Sequence, residues 1–221
     1  MLVVNRPLGA FLDTLFTLVD QRRVVLALSA DHGVGPIPEV HGGDARRVSG
    51  VPFVAQMRSA LRAAGVDTTA FDFGSGALAV DRGALSAAGV NVDALLAGFT
   101  AFARTVPGVR SADFLTELAQ RDTVTDHVAR RWLHMFAPGG DVEVVVTLEP
   151  YSIWSYGAVA THGSPWDYDA RVPLIFWGEV FAPGRYASPV RTVDIAPTLA
   201  HVLDVARPEQ VDGRVVTESL R

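Results

Sequence analysis

An α/β fold carrying a small α+β insertion is predicted for this chain of 221 residues. Three observations predict it. An amphipathic helical pattern over residues 8–20 runs directly into a continuous apolar segment, Val24–Leu28. A second apolar segment, Val142–Leu148, follows the pair Gly139-Gly140. Between them the regular alternation gives way to short strands followed by helices, the pattern of a separate α+β element.

Each element has a local reason. Leu8, Phe11, Leu12, Leu15, Phe16 and Val19 recur at helical spacing, with Asp13 and Asp20 on the other face. Val24-Val25-Leu26-Ala27-Leu28 lacks polar alternation, as a parallel strand covered on both faces does. After it comes a loop punctuated by Gly35, Pro36, Pro38, Gly42 and Gly43. Pro52 suits the first turn of a helix that runs through Val54, Met57, Leu61 and Ala64 and stops at Gly65. Residues 68–73 and 77–80 around Gly74-Ser75-Gly76 predict a hairpin. Further helices are expected over 92–105 and 125–136, with a short strand over 110–115. Beyond the glycine pair, 142–148 and 172–177 are strands, and 194–203 is a helix with Asp194 near its positive end. This divides the chain into an α/β core portion, residues 1–65 and 139–221, and an inserted α+β subdomain, residues 66–138.

Composition narrows the chemistry. Nineteen Lys and Arg against 24 Asp and Glu give a net charge of −5, without the basic footprint that a nucleic-acid backbone requires, so no such partner is expected. The pairs Arg22-Arg23 and Arg46-Arg47 read as solvated faces. No apolar run approaches the ~20 residues of a membrane span, and residues 1–7 lack signal-peptide character. With no cysteine, His, Asp and Glu are the strong metal ligands on offer.

Six histidines are present. His127, His134 and His201 lie on predicted helices without an accompanying ligand pattern and read as structural. His32 and His162 differ, because each precedes a glycine in a loop beside a strand, in Asp31-His32-Gly33 and Thr161-His162-Gly163. Neighbouring strand residues face opposite ways, so Asp31 and His32 can share an ion only where the chain leaves strand geometry, which Gly33 permits. Carboxylate plus imidazole suits zinc, manganese or iron. The alternative is an Asp31 that caps the loop and a His162 bonded to Asp167 or Asp169. Tyr151, Trp154 and Tyr156 either pack or flank a leaving group.

Three segments in order carry a resemblance. Ser29-Ala30-Asp31-His32-Gly33 through Glu39, Thr161-His162-Gly163-Ser164-Pro165 through Tyr168-Asp169 to Trp177-Gly178, and Val193-Asp194-Ile195-Ala196-Pro197-Thr198 resemble motifs of the alkaline phosphatase superfamily, in its branch of phosphate-irrepressible phosphatases and nucleotide pyrophosphatase/phosphodiesterases. The resemblance implies an α/β/α sandwich with two zinc or other divalent ions that hydrolyses phosphate mono- or diesters through a phosphorylated Thr or Ser. Asp31 and His32 would belong to one ion and His162 to its neighbour; Asp194 would cap a helix.

The family's metal-binding Asp on a first strand, its Thr or Ser nucleophile and its Asp-x-x-x-His pair have no counterpart here, and no histidine precedes His32. The resemblance therefore implies the C-terminal part of such an enzyme, inactive alone. Two other readings stand beside it. One is a non-catalytic binding or self-assembly module, a homo-oligomer joined through an exposed sheet edge; the other is a small metallohydrolase built on His32, His41 and His162.

Overall fold

A computed structural model describes residues 2–155, 157–207 and 210–221. In chain order the elements begin with α1 (Leu2–Leu18), β1 (Leu26–Leu28), α2 (Pro38–His41), β2 (Arg47–Val48) and α3 (Val51–Ala63). A hairpin of β3 (Phe71–Gly74) and β4 (Ala77–Val80) follows, then α4 (Arg82–Ala87), α5 (Val92–Ala103), β5 (Val109–Phe114), α6 (Leu115–Leu118) and α7 (His127–Met135). The chain continues through β6 (Val142–Leu148), β7 (Ile153–Trp154), α8 (Asp167–Ala170), β8 (Ile175–Trp177) and α9 (Ile195–Val202). These elements group into two compact units, one formed by the chain up to Asp31 together with Val172–Arg221, the other by His32–Arg171.

The second unit is built on a four-stranded antiparallel sheet of order β3-β4-β6-β5. Val142–Leu148, which the sequence assigns to the flanking α/β portion, is an inner strand of this sheet, between β4 and β5. Alternation along β6 explains why both faces are apolar. Val144, Val146 and Leu148 join a buried cluster with Phe53, Met57 and Leu61 of α3 and Leu96 and Phe99 of α5. Val145 points the other way, into a smaller cluster with Leu118, Ala129 and Trp132 of α6 and α7. Thr147, on that same side, accepts the indole N–H of Trp132 at 2.8 Å, which satisfies a buried donor that would otherwise be costly.

Local chemistry sets the ends of these elements. Ser75 and Gly76 both adopt positive φ, +50° and +85°, and join Gly74 and Ala77, which pair directly. That is the two-residue geometry whose twist matches antiparallel strands. Asp81, Asn91 and Asp126 each cap a helix by accepting from the third amide beyond them. Gly65 leaves α3 at φ +71°, as the sequence predicts.

In the first unit the strand after Arg22-Arg23 departs from expectation. It is only Leu26–Leu28, it pairs antiparallel with β8, and one of its faces is open. Opposed residues share a face, so Leu26, Leu28, Ile175 and Trp177 lie together, with Ala27 and Phe176 behind them. Phe16 of α1 reaches Trp177 with ring centroids 5.4 Å apart, yet Leu28, Ile175 and Trp177 stay 49%, 51% and 40% exposed. A continuous apolar run marks a doubly covered strand in a parallel sheet; an antiparallel pair such as this one can leave one face to solvent. Asp194, before α9, is buried, but its side chain does not cap that helix as expected; its carboxylate accepts instead from the amides of Arg191 at 2.8 Å, at the start of the preceding 3-10 turn, and of Arg214 at 2.9 Å. Among the described residues no helix is long and apolar enough to cross a membrane.

Candidate functional site

Asp31 ends the first unit as an exposed residue, and His32 opens the second, immediately beyond it in the chain. His32 has its Nδ1 2.6 Å from the carbonyl of Gly33. A carbonyl only accepts, so Nδ1 is the donor in this contact. His162, distant in sequence, lies face to face with it: the two rings stack at 3.5 Å between centroids, with 11° between planes.

The two loops are joined by main-chain bonds. The Gly33 amide donates to the Asp169 carbonyl at 2.6 Å and the Gly35 amide to the Thr161 carbonyl at 3.0 Å. Only glycine allows the first contact, because a Cβ at Gly33 would lie 2.2 Å from the Tyr168 carbonyl oxygen. The predicted alternative for His162, a bond from its ring to Asp167 or Asp169, does not form among the described residues. Asp169 accepts instead from the Ser164 amide at 2.6 Å, and Asp167 pairs with Arg131 at 2.7 Å. That guanidinium holds the Asp167 carboxyl below the usual carboxylate range and also donates to the Pro165 carbonyl at 2.7 Å.

Arg47, read from sequence as a solvated face, is a loop clamp. Its guanidinium meets Glu39 at 2.6 Å and donates to the carbonyls of Ala158 and Val159 at 2.6 and 2.7 Å. Glu39 belongs to the first motif, and this pairing, which keeps its carboxyl low, ties that motif to the approach to His162. Nothing in the pattern around Arg47 or Arg131 marks these roles, since each acts on backbone groups brought up by tertiary structure.

His41 does not join the pair. It stacks on Tyr151 at 3.8 Å, and Tyr151 stacks in turn on Tyr168 at 4.8 Å, whose phenol burial pushes up. Trp154 is core, edge-on to Phe53 and Phe73, and Tyr156 lies outside the described residues. His127, His134 and His201 are exposed. Imidazole nitrogens suit zinc and similar ions, so the donor chemistry of His32 and His162 fits. Their number falls short: no group of three or more His, Asp or Glu able to hold an ion occurs among the described residues, and a catalytic zinc takes about three protein ligands.

Known proteins give the arrangement a context. The chain is 30% identical over 96% of its length to alkaline phosphatase PhoK of a Sphingomonas species. A shorter stretch, 25% of the chain, is 53% identical to alkaline phosphatase PhoD of Zymomonas mobilis. The crystal structure of wild-type alkaline phosphatase PafA superposes over 98% of the chain with a TM-score of 0.85, at 19% identity. Over nearly its whole length the chain is similar to part of PhoK and of PafA, members of the alkaline phosphatase superfamily. Its α/β fold is the one that PafA shares. No protein-family model matches it. The chain spans about 40% of the length of PhoK and 42% of that of PafA.

Proposed function

We propose that this chain is the metal-ligand-bearing part of a hydrolase of phosphate mono- or diesters, in which Asp31 and His32 serve one divalent ion, zinc in the complete site, and His162 serves its neighbour. The Thr or Ser nucleophile and the remaining ligands lie outside these 221 residues. The observation that carries the reading is the face-to-face approach of His32 and His162 at 3.5 Å. Two imidazoles from loops far apart in sequence meet at the residues that motif spacing had singled out, and bonds through Gly33 and Gly35 hold those loops in register. With two imidazoles and one carboxylate to share between two ions, neither ion reaches three protein ligands from this chain, so the chain alone turns over little or no ester. The test is a chromogenic aryl phosphate assay with added zinc. Hydrolysis no faster than buffer supports the reading; robust turnover that vanishes in His32→Ala overturns it.

A second reading, a non-catalytic self-assembly module, is favoured by one observation: the open apolar face of Leu28, Ile175 and Trp177. It requires an obligate oligomer in light scattering, and a stable monomer contradicts it.

A further inference from the structure

Asp169 stands out once the two histidine loops are described. It is 3% exposed, and a carboxylate so buried is expensive unless it does something a neutral residue cannot do by packing alone. Two of its atoms reach the two loops separately. Its carboxylate Oδ2 accepts the amide of Ser164, two residues past His162, at 2.6 Å. Its carbonyl accepts the amide of Gly33, the residue after His32, also at 2.6 Å. Its other carboxylate oxygen, Oδ1, is buried without a hydrogen-bond partner among the described residues. His162, Gly163, Ser164 and Asp169 line the same small cavity.

We infer that Asp169 is a positioning residue that sets the separation of His162 from His32, one residue holding one loop by its side chain and the other by its main chain. The inference deepens the metal-ligand reading above and, where metal is concerned, rests on it. The side-chain half of the clamp is a single acceptor. Asparagine can supply that acceptor, and it loses nothing at Oδ1, which makes no bond; alanine cannot. The main-chain half depends on Gly33, where a Cβ would lie 2.2 Å from the Tyr168 carbonyl oxygen and 3.1 Å from the Asp169 Cα.

The experiment is NMR of the histidine ring protons in the metal-free chain, followed by zinc titration. Stacked at 3.5 Å, the rings of His32 and His162 shift one another's protons upfield. In Asp169→Ala both rings lose that shift, and the Ser164 amide loses protection from exchange, while His127, His134 and His201 keep their positions. Asp169→Asn restores both rings. Gly33→Ala, which leaves the carboxylate untouched, separates them again and decides the matter if Asp169→Ala does not fold. Unchanged His32 and His162 signals in a folded Asp169→Ala or Gly33→Ala overturn the inference, as does an Asn variant that behaves like alanine. On adding zinc, Asp169→Ala is expected to bind about 10–100-fold more weakly than wild type, with Asn close to wild type. If the wild type shows no zinc response, the metal reading fails, and the ring shifts still decide the positioning role.

Discussion

At the scale of single residues, the site divides into groups that a motif can reveal and groups that only the folded chain reveals. His32 and His162 were legible because an imidazole followed by glycine beside a strand is a recognisable arrangement, and Gly33 because the bend demanded it. Arg47 and Arg131 were not, since a guanidinium that serves carbonyls such as those of Val159 and Pro165 looks in sequence like any surface arginine; Asp169 was marked by its motif, but its partner is the Ser164 amide and not the His162 ring. Arg131 allows a direct check. Its proximity lowers the Asp167 carboxyl in the folded state, so the pair stabilises the fold above the ordinary carboxylate value of about 3.9, and that contribution disappears as the pH falls through the depressed folded value. Arg131→Met should cost up to about 1 kcal/mol in urea unfolding near neutral pH, as a partly exposed pair does, and the deficit should shrink as the pH falls below about 3.9, where the unfolded carboxyl protonates, and vanish below the depressed folded value. A deficit that stays constant with pH would assign the effect to the Pro165 bond alone.

At the scale of elements, segments with a clear local pattern were found close to where they were expected, and those held only by distant contacts were not. The hairpin, α5 and β6 fall within a few residues of expectation because each has a strong apolar period. The two-residue strands β2 and β7 pair in parallel, Arg47 with Ile153 and Val48 with Trp154, on contacts that no local pattern announces. The strand at Val24–Leu28 was read as doubly covered because its composition says so; the exposed face of Leu28 with Ile175 shows a local preference without its neighbour. The aromatic core tests the packing account. Phe53 is fully buried and meets Phe73, Phe99, Phe102 and Trp154 at ring separations of 5.1, 6.1, 5.8 and 5.3 Å. Phe53→Ala should destabilise by about 3–5 kcal/mol in denaturant unfolding. A loss below about 1 kcal/mol would mean that α3 does not depend on that cluster.

At the scale of the whole molecule, two observations point the same way. The chain spans about 40% of the length of its PhoK relative, and the apolar strand pair of its first unit keeps large side chains in water. Both agree with the proposal that this chain is one part of a larger phosphatase fold. The central claim is that His32 and His162 are ligands, and zinc titration of the purified chain, followed at the histidine ring protons, tests it most directly. The account predicts weak binding that moves the His32 and His162 signals together, leaves His127, His134 and His201 in place, and is lost in His162→Ala. No response of either ring at millimolar zinc, or a response confined to the other histidines, would contradict it.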